Sequence, residues 1–184
     1  CTVSPIAITL YPLMQIADIT SVKIATQQAL SGGGRILLAE GRAGRQINSE
    51  IPGEAESIIT ELSKILSCEF DIEASCERVM RDHGHYARIE VEFGEPISAH
   101  QVIRAWRESH SRCQELNLPS ATKKPIIFVD GELDDNHRWV GFEQYKHPGL
   151  DLKAAMAVAV GEVEINGSKL RFSTMADNTI RGAA

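Results

Sequence analysis

The 184-residue chain contains no apolar run approaching the roughly 18 residues that a membrane-spanning helix needs, so it reads as a soluble globular chain. It has no basic excess either. The 19 Lys and Arg residues against 25 Asp and Glu give a net charge of -6, with no basic stripe, which sets nucleic acid aside as a partner. The four cysteines (Cys1, Cys68, Cys76, Cys113) lack the spacing of a disulfide framework, and reduced thiols in a cytoplasm are expected. His83 and His85 lie two apart, but no second pair has the spacing of a structural zinc site, so no metal is expected. Neither a signal peptide nor an initiator methionine is present. The chain opens on Cys1 and closes on Arg181-Gly182-Ala183-Ala184, which reads as the start of a helix, so a piece excised from a longer protein is expected. The length suits one layered domain with a sizeable core.

The chemistry concentrates at Glu77 to Tyr86, where Arg78 and His85 stand seven positions apart. An arginine presents a planar fork suited to a carboxylate, and a histidine is the side chain best placed to exchange protons near neutral pH. Seven is an odd interval, so in a continuous strand the two side chains would point to opposite faces. Asp82-His83-Gly84 supplies a turn or bulge that can re-aim His85 toward the face of Arg78.

The other elements frame this stretch. Ile6, Leu10, Leu13 and Ile16 mark a largely apolar helix with Pro5 in its first turn and a kink expected at Pro12. Cys1 thereby falls at or just before a helix N-terminus, where partial positive charge favours a thiolate. Ser21 to Gln28 alternates like a strand and runs into Ser31-Gly32-Gly33-Gly34, whose backbone could approach an anion; a short helical stretch to about Glu40 and a surface loop from Arg42 to Pro52 follow. From Gly53 an amphipathic helix carries Ile58, Ile59, Leu62, Ile65 and Leu66 as one stripe. Ile72 to Met80 and Tyr86 to Phe93 read as the strands entering and leaving the Arg78–His85 turn, in a sheet with one polar face.

Ser98 with Gln101 fits a capping box, Ile97 and Val102 are placed for a hydrophobic staple, and the helix carries Val102, Ile103 and Trp106 inward; His100 and His110 are expected in solvent. Ile126 to Val129 reads as a short buried strand. Asp130 to Pro148, with Trp139, Phe142 and Tyr145, reads as a long excursion that covers the domain or touches a partner. Met156 to Ile165 and Lys169 to Thr174 form a hairpin around Asn166-Gly167, the pair suited to a type I′ turn. Asp177 or Asn178 could cap a final helix. The fold expected is α+β, a mixed and mostly antiparallel sheet with helices on one face; the other face, or the excursion, would bury against a second copy.

In this order the pieces resemble the aspartate-semialdehyde dehydrogenases, in particular the archaeal and fungal branch. The resemblance rests on Cys1-Thr2, Thr26 to Gly33, Ala74 to Val79 through Gly84-His85, Leu118 to Ala121 with Lys124 to Ile127, and Asp177 to Ala184. It implies that residues 1–184 form the catalytic and dimerisation domain, without the nucleotide-binding domain, and that the domain is inactive alone. It implies a fold like the C-terminal domain of glyceraldehyde-3-phosphate dehydrogenase. It further implies that Cys1 attacks an activated acyl group to give a thioester, which NADP-derived hydride reduces to the semialdehyde of aspartate-family amino-acid biosynthesis. His85 would take the thiol proton and handle that of the hemithioacetal. Gln28 would orient the reacting group, Arg78 and Glu54 would bind substrate, and Ser31, Gly32 and Asn178 would lie against the cofactor. A cytoplasmic homodimer or homotetramer is implied.

There are departures from that pattern. Ser57 in Glu54-Ala55-Glu56-Ser57 stands where the family carries a phosphate-binding lysine, and Leu152 follows Asp151 where an arginine is expected. An acyl-coenzyme A substrate, as in malonyl-coenzyme A reductases, is therefore an alternative to acyl phosphate. A non-catalytic dimerisation module and an N-terminal nucleophile hydrolase using the α-amino group of Cys1 are the readings from other classes.

Overall fold

The structure is a computed structural model that describes residues 2–181. Its centre is a six-stranded sheet formed by β1 (Ile19–Gln28), β2 (Asp71–Arg78), β3 (His85–Phe93), β4 (Ile126–Phe128), β5 (Val158–Asn166) and β6 (Lys169–Ala176), in the order β2-β1-β3-β6-β5-β4. β1 pairs with β2, and β4 with β5, in parallel; the three central pairings are antiparallel. The mixed, mostly antiparallel sheet expected from the sequence is the one observed.

Helices α1 (Val3–Met14), α3 (Glu54–Leu66) and α4 (Ala99–Arg107) pack together over one face, while α2 (Gly34–Arg42) follows a 3-10 turn at Leu30–Gly33. Period-two alternation makes that face apolar: Val22 and Ile24 of β1, Ala87, Ile89, Val91 and Phe93 of β3, and Leu170 and Phe172 of β6 are all buried. They meet Ile6, Leu10 and Leu13 of α1, Ile58 and Leu62 of α3, and Val102 and Trp106 of α4. The Trp106 ring lies 4.9 Å from that of Phe172, and its indole N–H donates to the Thr9 carbonyl at 2.9 Å, which satisfies the one polar atom the ring carries inward. The opposite face carries cross-strand ion pairs such as Lys23–Glu73 and Arg171–Glu90.

The capping box forms, with the Gln101 N–H donating to Ser98 Oγ and the Ser98 N–H to Gln101 Oε1. His100 and His110 are exposed. The excursion turns back on the domain, where a 3-10 helix at Asp135–Trp139 packs against β5 and β6.

Several expectations need correction. Pro12 lies inside α1, in its last turn, and the helix ends two residues further on at Met14. In α3 the buried ridge is Ile58, Leu62 and Leu66, spaced at i+4; Ile65 is 58% exposed on the flank, facing an apolar groove it shares with Tyr11 and Leu118. β2 ends at Arg78, leaving Met80 exposed. β2 and β3 do not pair with each other, because β1 lies between them. In the hairpin, Asn166 pairs with Lys169, so the loop residues are Gly167 and Ser168. Only Gly167 has a positive φ, 62°, the sign pattern of a type II′ turn rather than type I′. The carbonyls of Gly167 and Ser168 accept from Ile97 and Phe93 N–H groups at 3.1 and 2.9 Å, contacts from outside the hairpin that anchor the turn residues.

Candidate active site

The sheet register places the sequence-selected residues at one end of its helix-covered face. Arg78, the last residue of β2, pairs with Gln28, the last of β1, and His85 opens β3 one position beyond the Gln27–Tyr86 pair. Because β3 runs against the other two strands, its first residue joins their last ones. Gly84, with φ of 91°, makes the turn that the odd Arg78–His85 interval requires.

A single residue's peptide groups tie the Arg78 and His85 side chains together. Ala29, fully buried, donates its N–H to His85 Nδ1 at 3.3 Å and accepts from Arg78 Nη1 on its carbonyl at 3.0 Å. A Cβ added at Gly32 would stand 3.2 Å from His85 Cε1 and 3.5 Å from Arg78 Nη1, so any larger residue would intrude between them. His85 is 4% exposed, and burial lowers its pKa to about 4. It is a neutral imidazole at pH 7.

On the other side of Gln28, a polar cluster leads to the start of α1. The Gln28 amide donates to Thr2 Oγ1 at 2.8 Å and to the Glu54 carboxylate, and Thr2 Oγ1 donates to Glu54 Oε1 at 3.1 Å. Thr2 is the residue before α1, and Glu54 opens α3, so two helix N-termini converge beside β1. Cys1 lies outside the described residues. Cys76, paired with Thr26 one row inward, carries a thiol that burial pushes up, which keeps it protonated.

Asn178 closes the arrangement. Its Oδ1 accepts from the Gly84 N–H at 2.8 Å and its Nδ2 donates to Ser31 Oγ at 3.0 Å, so one buried amide joins the glycine-rich loop to the turn before His85. Asp177 accepts from the Thr179 N–H at 2.8 Å in the turn that follows β6; the final helix that Asp177 or Asn178 was expected to cap falls outside the described residues. Arg138 of the excursion lies 3.5 Å from the buried Asp177 carboxylate, and Arg81 meets Asp135 at 2.8 Å, which braces the 81–84 turn.

The described residues selected from the sequence, Gln28, Ser31, Gly32, Glu54, Arg78, His85 and Asn178, are thus brought to one end of the sheet. Thr2 and the Ala29 backbone belong with them and were missed. Thr2 was visible only as the neighbour of Cys1, and a main-chain contact leaves no residue signature. Leu152 is exposed and Asp151 accepts from the N–H groups of Glu143, Gln144 and Lys153, a loop-forming role. Among the described residues no group of three or more His, Cys, Asp or Glu could hold a metal ion, and no helix is long and apolar enough to cross a membrane.

Comparison with known proteins gives the family. The chain is 30% identical to the malonyl CoA reductase (NADP) of Metallosphaera sedula, over 100% of its own length and 53% of that protein. It is 28% identical to the aspartate-semialdehyde dehydrogenase of Methanothermobacter thermautotrophicus, over 100% of this chain and 54% of that one. The crystal structure of aspartate semialdehyde dehydrogenase with NADP from Candida albicans superposes with a TM-score of 0.71 at 22% identity, over 99% of this chain and 51% of that one, a likeness of fold. No family model matches. The chain belongs to the aspartate-semialdehyde dehydrogenase family, and it spans about half the length of the relatives it matches.

Proposed function

We propose that residues 1–184 are the catalytic and dimerisation domain of an NADP-linked enzyme that reduces an activated acyl group, aspartyl phosphate, to its semialdehyde through a thioester on Cys1. The supporting observation is the row Gln28, Arg78 and His85, joined through Gln28 to Thr2, the residue next to Cys1. A thiolate at Cys1 adds to the acyl carbon, and the carbonyl π electrons move onto oxygen. Their return expels phosphate and leaves the thioester. Arg78, held by the Ala29 carbonyl, presents its remaining donors to the substrate carboxylate. Gln28, fixed by Glu54 and Thr2, orients the reacting group, and His85 handles the proton of the tetrahedral species.

The nicotinamide cofactor, when bound, supplies the hydride. The exposed Gly32 and half-buried Ser31 lie beside His85 and Arg78, and with only a hydroxymethyl side chain between them they fit the edge of a planar ring. Most of the cofactor would be held by a nucleotide-binding domain outside residues 1–184. Asn178 supports this edge indirectly, since its amide is engaged by Ser31 and Gly84. The enzyme is proposed to be cytoplasmic and to work as a homodimer or homotetramer.

A second substrate, an acyl-coenzyme A, is favoured by Ser57, which leaves the first turns of α3 without a lysine to meet a phosphate. Turnover of the full-length enzyme with NADPH, using aspartyl phosphate and malonyl-coenzyme A in parallel, separates the two. Cys1→Ser should abolish turnover with either substrate while sedimentation shows an unchanged oligomer; an active Cys1→Ser enzyme would overturn the mechanism.

A further inference from the structure

We infer that Arg138, on the excursion, is a positioning residue for the reaction: it buttresses the turn that leads into β3 and the Asn178 amide that holds that turn. The inference rests on the proposed thioester chemistry for its effect on turnover, and on the fold alone for its geometry. The 81–84 turn precedes β3 and is held by two neighbours. The first is the glycine-rich loop, whose Leu30 N–H donates to the Arg81 carbonyl at 2.8 Å and whose Ser31 N–H donates to the Asp82 carbonyl at 3.1 Å. The second is the 3-10 turn at Asp135–Trp139.

Two contacts bolt the 3-10 turn in place. Arg81 Nε meets Asp135 Oδ1 at 2.8 Å. A Cβ added at Gly84 would stand 3.5 Å from Arg138 Cδ and 3.7 Å from Arg138 Cβ, so the stem of Arg138 lies against the glycine whose φ of 91° makes the bend. Residues three apart in a 3-10 helix eclipse, which is why Asp135 and Arg138 reach the same turn. The head of Arg138 has its own anchors. Its guanidinium lies 5.1 Å over the Trp139 ring, and its Nε stands 3.5 Å from Asp177 Oδ2, an ion pair rather than a hydrogen bond. Asp177 is 1% exposed, and among the described residues Arg138 is the cation paired with it. The next residue is Asn178, whose Oδ1 accepts from the Gly84 N–H at 2.8 Å. Arg138 thus braces both ends of one hydrogen bond, the glycine that donates it and the residue before the amide that accepts it.

Arg138 acts through Asp177 and Gly84 and forms no bond in the reaction. Removing its charge leaves a buried carboxylate without its cation. The Asn178 amide also donates to Ser31 Oγ at 3.0 Å, so a displaced Asn178 shifts the edge assigned to the nicotinamide as well as the turn before β3. Arg78 is fixed independently, by the Ala29 carbonyl at 3.0 Å, so the grip on the substrate carboxylate survives. The defect is therefore one of turnover and not of acyl-substrate binding.

The test is Arg138→Met in the full-length enzyme, with hydrogen–deuterium exchange of the segment holding Gly84 read by mass spectrometry and steady-state kinetics run with NADPH and the acyl substrate that the parent turns over. The expected result is exchange of that segment faster by roughly tenfold, kcat lower by roughly 10–100-fold and KM for the acyl substrate within about twofold of the parent. Arg138→Lys, which keeps the stem and the charge, should recover most of kcat. Asp177→Asn in the Arg138→Met background should recover part of it, because it removes the unpaired carboxylate. Should Arg138→Met fail to fold, Asp135→Ala, which drops an exposed partner of the same turn, carries the exchange test and should also quicken it. Unchanged exchange in the folded variants overturns the inference, as does a loss confined to KM. An active Cys1→Ser enzyme sinks the thioester mechanism and leaves the exchange result untouched, so the two failures are distinguishable.

Discussion

The helix-covered face of the sheet has two ends made from the same strands in the same alternation, and they do opposite things. Along β1 the inward residues run Val22, Ile24, Thr26, Gln28; along β3 they run Val91, Ile89, Ala87, His85; along β2 they run Ile72, Ala74, Cys76, Arg78. At the first end, branched side chains fill the space beneath α1, α3 and α4. At the second, each strand ends on a side chain with a proton, a charge or an amide to offer. The site is therefore the last row of the core. Its side chains inherit their spacing from a sheet that hydrophobic packing makes stiff, which is how polar groups come to be fixed without a rigid loop of their own.

If that comparison holds, the apolar end should carry stability and the polar end should carry activity. The largest expected effect is on stability. Phe172→Ala removes a buried ring packed at a tilt against Trp106 and should cost about 3–5 kcal/mol in urea unfolding. A loss below about 1 kcal/mol would show that the packed end is not what holds the sheet together.

The next effect comes from the polar end, through pH. His85 has a folded pKa of about 4 against an ordinary 6.5, so the unfolded chain binds its proton first. Above pH 6.5 both states are neutral at this residue and it has no pH effect. Between 6.5 and 4 stability should fall by up to about 3 kcal/mol, and below 4 this contribution should level off. The slope should be absent from His85→Gln; an unchanged slope would assign it to other groups.

Asn178→Ala should cost about 1–3 kcal/mol, because it leaves the buried Gly84 N–H without its partner. Its loss of turnover should exceed what that destabilisation explains, since the turn before His85 and the Ser31 loop are both released. Equal losses would make Asn178 a packing residue only. The smallest effect belongs to the far face, where Lys23→Ala breaks an ion pair whose side chains are 58% and 71% exposed. Less than about 0.5 kcal/mol is expected by thermal unfolding. A larger value would mean that the polar face is covered in the assembled protein.

The elements whose signal lies within a few residues were legible in the sequence. The alternation of β1 and β3, the Ser98–Gln101 capping box and the Arg78–His85 turn depend on side-chain periodicity or on one glycine, and they appear where expected. What was hidden depends on contacts between distant segments. The insertion of β1 between β2 and β3 follows from strand pairing across some 50 residues. The hairpin turn moved by one residue because Phe93 and Ile97 bind its carbonyls. Ile65 belongs to an apolar stripe by spacing, but only the placement of α1 decides which flank of α3 is covered. At the site, residue types identified Arg78, His85 and Gln28, while the Ala29 peptide and the two-sided amide of Asn178 required coordinates.

Asn178 and the β3–β6 pairing also set an order of events during synthesis. Thr2, Gln28, Glu54, Arg78 and His85 are all made before residue 100, yet β3 gains its second neighbour only when β6, ending at Ala176, has been added, and the turn before His85 is tied only by Asn178. Pairings of such long sequence separation form late, because closing a long loop precedes any reward from the contact. A nascent chain therefore carries these polar side chains before the frame that aligns them exists, and their alignment waits for β6 and Asn178.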